Sequence, residues 1–328
     1  MKRRTFIITT SIFAGSLATT KLFPSPAQGQ ELKELSLGII STESQANQKP
    51  IWEPFIAAMS EQIGIPVKAF YATQYAGVIE AMRFGQVQLA WFGGKSYIEA
   101  HKRADAEVFA QTVNTDGTKG YYSHLIMNKN HPDLSQAKEV GGEKYTIDNA
   151  ADLQFAFNDP NSTSGYLVPS YYVFAQNSVN PKEAFKRLIF AGNHEATALA
   201  IANNQVDVAT NNSESLSRLE KTNPQARDNI EVVWTSELIP SDPIAWRSDL
   251  PEDLKAKLKD FFYSYNDQTV LASLEWSGFV PATDDIWNSI EELDIGEKIL
   301  AVQTNDNLSP ANKDKQIAKL KPELSVIK

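Results

Sequence analysis

Residues 35–92 read LSLGIISTESQANQKPIWEPFIAAMSEQIGIPVKAFYATQYAGVIEAMRFGQVQLAWF. Three short apolar runs stand in this stretch: Leu35 to Ile40, Val67 to Tyr71 and Val87 to Phe92. Each has the length of a buried strand. Between the first two, Ile51, Trp52, Phe55, Ile56 and Met59 recur at helical spacing, and Gly64 stands where a left-handed glycine closes a helix. Tyr75 to Phe84, ended by Gly85, reads as a second helix. Strand, helix, strand, helix, strand predicts a parallel α/β unit.

The pattern restarts after residue 150. Leu153 to Phe157 reads as a strand, Asn158 to Gly165 as a turn, and Tyr166 to about Gln176 as an apolar helix. Leu188 to Phe190, Val206 to Thr210 and Val232 to Trp234 read as further strands, with a helix over Ala196 to Asn203. Tyr122 to Asn128 is a strand leaving the first unit, and Ile244 to Arg247 one returning to it. The helical remainder, Leu254 to Tyr265 and beyond, is expected to pack on the first unit. The fold class is therefore α/β, with two lobes joined by two crossover segments. Residues 30–122 and 242–328, with the C-terminal helices, form one lobe, and residues 123–241 the other. A ligand cleft is expected between them, at the carboxyl ends of the strands.

Residues 1–29 read as a secretory signal. Lys2, Arg3 and Arg4 precede an apolar run from Phe6 to Leu17, too short to span a bilayer, and Ala27 and Gly29 suit cleavage after Gly29. Arg3-Arg4 resembles a twin-arginine signal, though Sec signals also begin this way. A periplasmic location is expected. The chain contains no cysteine, so it can form neither disulfides nor a cysteine-linked lipid anchor. Its 31 basic residues, less the signal's four, leave 27 against 40 acidic, a net charge of −13. That argues against a nucleic-acid partner but not against a small anion held by local donors.

Asp159-Pro-Asn-Ser-Thr-Ser-Gly165 carries the strongest local signal for chemistry. It follows a strand and precedes a helix, where free N–H groups and a partial positive charge attract phosphate-like anions. Ser162, Thr163 and Ser164 add hydroxyl donors, and Gly165 permits close backbone approach. Such residues also serve as plain helix caps. His194 lies in a second strand-to-helix turn and is either an anion donor or a cap. Asp242, in Ile239-Pro-Ser-Asp-Pro243, would accept a proton from a P–OH group or simply stabilise a turn. Tyr75 and Tyr121 are phenol donors or core aromatics. Glu214 would face a ligand ammonium or solvent.

A secreted serine hydrolase using Ser162 or Ser164 with His194 and Asp242 is a competing reading, but no Gly-x-Ser-x-Gly elbow occurs. A metal-carrying role is another. The four histidines, His101, His124, His131 and His194, lack helical pairing, so no metal and no cofactor is expected.

The chain resembles the phosphonate-binding proteins of bacterial ABC importers, within the wider phosphate/phosphite/phosphonate-binding family. Gly38-Ile-Ile-Ser-Thr-Glu-Ser44, Tyr75-Ala-Gly77, Ala90-Trp91, the Asp159–Gly165 turn, Gln205-Val-Asp-Val-Ala-Thr-Asn-Asn212 and Ile239–Pro243 carry the match, over roughly residues 35 to 290. The resemblance implies a type II-like periplasmic binding protein fold, no catalysis, and a membrane permease with its ATPase subunits as partners. It implies that Tyr75, Tyr121, Ser162, Thr163, Ser164 and His194 bind the oxyanion, with Asp242 as acceptor. Glu214 matches the position that holds the amine of 2-aminoethylphosphonate in some members, so an alkylphosphonate is the favoured ligand and phosphite or phosphate the alternative. Gly93-Gly94-Lys95 departs from the loop expected after the third strand, and the match weakens after about Asp285.

Overall fold

A computed structural model describes residues 32–327; the signal reading at residues 1–29 lies outside them. Thirteen strands run along these residues: β1 Leu35–Ile39, β2 Val67–Tyr71, β3 Leu89–Trp91, β4 Ala106–Asn114, β5 Gly120–Tyr121, β6 Ser123–Asn128, β7 Gln154–Phe157, β8 Arg187–Phe190, β9 Val208–Asn212, β10 Ile230–Thr235, β11 Ile239–Pro240, β12 Pro243–Arg247 and β13 Trp276–Pro281. The helices of nine or more residues are α1 Gln45–Ile63, α2 Tyr75–Arg83, α3 Gly94–Ala104, α4 His194–Ala202, α5 Ser213–Thr222, α6 Glu252–Ser264, α7 Asn288–Thr304 and α8 Pro310–Val326.

The strands form two main sheets. The first has the order β13-β4-β12-β3-β1-β2, with β1 parallel to β2 and β3, and β12 antiparallel to β3 and β4. The second has the order β10-β6-β9-β7-β8, with β7 parallel to β8 and β9. The chain crosses between them twice, after β5 and after β11. Those two crossings pair with each other in a short antiparallel ribbon, Ile239 opposite Tyr121 and Pro240 opposite Gly120. Each sheet has its own aromatic core. In the first lobe Trp52, Phe55, Trp91, Trp276, Phe262 and Phe279 pack edge to face or tilted. In the second, Phe174 packs edge to face on Phe155 and Phe185, Phe157 edge to face on Phe155, and Phe155 stacks on Phe185. Such aromatic pairs favour these offset geometries over face-to-face contact.

The structure differs from the sequence expectations at several elements. The helix expected over Tyr166 to Gln176 is two wide turns, Thr163–Leu167 and Ser170–Ala175, in which Leu167 N–H reaches Ser162 O and Gln176 N–H reaches Tyr171 O. Pro169 stands between them and has no N–H to continue an ordinary ladder. Strand β9 begins two residues later than its apolar run, because Val208 pairs with Phe155 and Asn212 with Ser123. That register carries Asn211 and Asn212 to the end of the strand. Strands β4 and β13 were not expected; their mixed residues, Gln111 and Thr112 among them, hide the strand period. The C-terminal remainder does not pack on the first lobe alone. Helix α7 joins both lobes: Asp294 forms a buried ion pair with Lys95 of α3, and Glu297 accepts from the Tyr166 hydroxyl at 3.4 Å.

Candidate ligand-binding site

The ends of β3, β7 and β9 and the starts of α2, α4 and α5 meet between the lobes around a small cavity. All eight residues singled out from the sequence line it: Tyr75, Tyr121, Ser162, Thr163, Ser164, His194, Glu214 and Asp242. The structure adds Thr42, Trp91, Asn212 and Arg218. Two of these carried a readable signal. Asn212 caps α5 directly after a strand, as Ser162 does after β7, and Arg218 lies four residues beyond Glu214 on one helical face. Thr42 and Trp91 lie in segments that carry the family resemblance, but nothing in their residue types marked them as lining a site.

The three hydroxyls of the turn share one arrangement. Ser162 Oγ accepts from Gly165 N–H at 2.9 Å and from Asn158 Nδ2 at 3.3 Å. Thr163 Oγ1 accepts from Lys95 N–H at 2.9 Å, and Ser164 Oγ accepts from Asn212 Nδ2 at 3.1 Å. With its oxygen already accepting, each hydroxyl keeps its own hydrogen for another acceptor. All three side chains are buried. The turn thus presents three oriented O–H donors to one cavity, which is the chemistry of an oxyanion site.

Gly165 makes the turn possible by its size. A Cβ there would lie 2.3 Å from Asn158 Cβ and 2.8 Å from Ser162 Oγ. Gly165→Ala is therefore expected to cost about 1–3 kcal/mol in stability and to displace Ser162. Urea unfolding checks the first effect; an unchanged midpoint would show that the turn yields freely.

His194 begins α4. Its Nε2 lies 3.3 Å from Asn212 Nδ2 and 3.5 Å from Ser162 Oγ, while Nδ1 has no protein partner. Burial, with Arg218 nearby, pushes its pKa down to about 3. The ring is neutral at pH 7, and an accepting Nε2 beside the Asn212 amide places its proton on Nδ1. A depressed folded-state value means that the unfolded chain takes up a proton first. Stability is therefore lost as pH falls from about 6.5 towards 3. Relative to His194→Asn, the wild-type protein is expected to lose about 2 kcal/mol between pH 7 and pH 5. Urea unfolding of both proteins at the two pH values measures this, and identical pH dependence would refute it.

The acids differ in their surroundings. Asp242 is buried, its Oδ1 has no protein partner, and burial followed by Glu214 raises its pKa well above the carboxylate range, while Arg218, Tyr121 and Trp91 oppose this. An acid in this state shares a proton readily with a ligand oxygen. The Tyr75 and Tyr121 phenols are likewise held protonated by burial first and nearby acids second, so each is a donor. Glu214 is half-buried and raised by burial, with Glu43 and Glu275 adding and Arg218 opposing. Arg218 Nε donates to Glu43 Oε1 at 2.7 Å, and Lys221 pairs with Glu275. Among the described residues, then, each nearby cation has a carboxylate other than Glu214 as its salt-bridge partner.

The competing readings fare differently from the oxyanion reading. His194 contacts Ser162 and Asn212, and no hydrogen bond joins it to Asp242 among the described residues. The relay a serine hydrolase needs is not assembled. No group of three or more His, Cys, Asp or Glu side chains among the described residues could hold a metal ion. No described helix is long and apolar enough to cross a membrane.

Two α/β lobes hinged on a paired ribbon, with a cavity of inward-turned donors between them, define a two-lobed solute-binding protein of the type II-like periplasmic class. The family model for the periplasmic phosphonate substrate-binding protein of ABC transporters matches residues 37–287, and the chain belongs to that family. It is 44% identical to the phosphonates-binding periplasmic protein of Escherichia coli (strain K12) over 319 residues, 96% of this chain and 90% of that protein. A binding component of a Pseudomonas aeruginosa ABC phosphonate transporter has 46% identity and a TM-score of 0.84, covering 90% of this chain and 96% of that one. A Prochlorococcus marinus (MIT 9301) protein in complex with methylphosphonate has 26% identity and a TM-score of 0.70, covering 80% of this chain and 97% of that one. The family and the Pseudomonas aeruginosa relative are substrate-binding components of ABC phosphonate transporters, not enzymes.

Proposed function

We propose that the chain is exported to the periplasm, closes its lobes on an alkylphosphonate, with 2-aminoethylphosphonate favoured, and delivers it to a membrane permease driven by its ATPase subunits. Ser162, Thr163, Ser164, Tyr75, Tyr121 and His194 donate to the phosphonate oxygens, and Asp242 shares the proton of a monoprotonated ligand. One observation favours an amino substituent. Glu43 is taken by Arg218 and Glu275 by Lys221, so Glu214, like Asp242, is a cavity carboxylate with no salt-bridge cation of its own among the described residues. A ligand ammonium balances that charge, whereas phosphite or phosphate leaves it unpaired, at a desolvation cost.

Calorimetric titration of phosphate, phosphite, methylphosphonate and 2-aminoethylphosphonate tests this. The expected order places 2-aminoethylphosphonate tightest, methylphosphonate next, and the two inorganic ions weakest. Tightest binding of phosphate or phosphite would replace the reading with that of an inorganic-ion carrier.

A further inference from the structure

The helices that begin at the cleft are capped in two different ways. In the second lobe, α4 and α5 are capped by their own residues, Asn193 and Asn212. In the first lobe, α1 and α2 have no side-chain cap of their own. One free N–H at each start is met from across the cleft. Ser44 N–H, at the start of α1, donates to Glu195 Oε2 at 2.7 Å, and Asn47 Nδ2 donates to Glu195 Oε1 at 2.7 Å. Tyr75 N–H, the first of α2, donates to Asp159 Oδ2 at 3.3 Å. The exchange is reciprocal: the Thr42 carbonyl accepts the first two N–H groups of α4, from His194 at 3.0 Å and Glu195 at 3.3 Å.

From this geometry we infer that Glu195 is a positioning residue, which sets ligand affinity by clasping the lobes without touching the ligand. Glu195 does not line the cavity; its neighbour His194 does. Four hydrogen bonds tie residues 42–47 to residues 194–195, and they form only when the lobes meet. Two of them end on a carboxylate, which makes them charge-assisted. A helix start left uncapped in the open form regains its partner on closure. The clasp therefore adds to the closed state alone and holds the His194 ring against Ser162 and Asn212. A ligand gains from it whatever its substituent, because the bonded atoms are all protein atoms. Glu195 also stands in the first turn of α4, where an acid favours its own helix. The two roles separate experimentally, since only the clasp depends on closure.

This rests on the proposed closure of two lobes and not on the choice of ligand. The chain has no cysteine, so spin labels can be placed at Glu61→Cys in one lobe and Gln136→Cys in the other, both exposed. Distance distributions are recorded without ligand for wild type, Glu195→Ala and Glu195→Gln, beside calorimetry with methylphosphonate and 2-aminoethylphosphonate. Glu195→Ala is expected to shift the distribution towards longer distances and to weaken both probes by the same factor, about tenfold or more. The ligand-free melting temperature should stay within about 1 °C. Glu195→Gln, whose amide oxygen still accepts from Ser44 N–H, should recover part of the loss. Unchanged interlobe distances, unequal losses for the two probes, or a fall in ligand-free melting temperature that Glu195→Gln does not relieve would each overturn the assignment. If neither probe binds the wild type, the proposed ligand fails, and the distance distributions still decide the clasp.

Discussion

Thr163→Val is expected to weaken binding of methylphosphonate and 2-aminoethylphosphonate alike, by about 100-fold or more. Valine keeps the shape of threonine and removes only the hydroxyl. Two hydrogen bonds go with it. The first is the donation from Thr163 Oγ1–H to a charged phosphonate oxygen, and bonds to charged groups contribute about 1.5–3 kcal/mol. The second is the one from Lys95 N–H to Thr163 Oγ1, 2.9 Å long and buried between the lobes. Losing it strands a buried donor at about 1–3 kcal/mol. Because the two share one oxygen they are coupled and do not simply add, so about 3 kcal/mol is a reasonable sum. Calorimetry with both ligands measures it. A loss below tenfold, or one confined to a single ligand, would remove Thr163 from the oxyanion set.

Glu214→Ala should act selectively. For 2-aminoethylphosphonate the expected loss is about 2 kcal/mol, roughly 30-fold, the scale of a charge-assisted hydrogen bond in a partly buried site. For methylphosphonate the change should be under about threefold. Methylphosphonate has no ammonium to lose, and a carboxylate without a salt-bridge cation is no longer desolvated on closure. Glu214→Gln separates charge from volume and should reproduce most of the selective loss. Equal losses for the two ligands would mean that Glu214 serves the helix start or Arg218 rather than an ammonium. The test matters because the proposed oxyanion donors would not read the substituent. Ser162, Thr163 and Ser164 would serve phosphate, phosphite and phosphonate equally well.

Much of this was legible in the sequence because it is local. The apolar runs and helical spacings of residues 35–92 announced a parallel unit, and β1, α1, β2 and α2 appear at or within a few residues of those positions. The Asp159–Gly165 turn could be singled out from residue types alone, and its three hydroxyl residues line the cavity. What stayed hidden depends on partners distant in the chain. Strand β4 carries Gln111 and Thr112 in its interior, and only pairing with β12 and β13 reveals it as central. Arg218 stood on one face with Glu214, yet its commitment to Glu43, 175 residues away, is a tertiary fact.

What the sequence by itself determined, then, is the two-lobed α/β plan and eight residues that the fold brings to one cavity. Strand periodicity, turn residues and helix starts need only near neighbours to be read. Only the tertiary structure decided which way those groups donate and what charge remains at the far end of the cavity. The Thr163 hydroxyl keeps its hydrogen for the cavity because the backbone N–H of Lys95, from the other lobe, occupies its oxygen. The Ser164 hydroxyl does the same because Asn212 occupies its own. Glu214 is left without a salt-bridge partner among the described residues because Arg218 bonds Glu43. A donor's direction and a net charge depend on which partners are already taken, and that is settled only when both lobes meet.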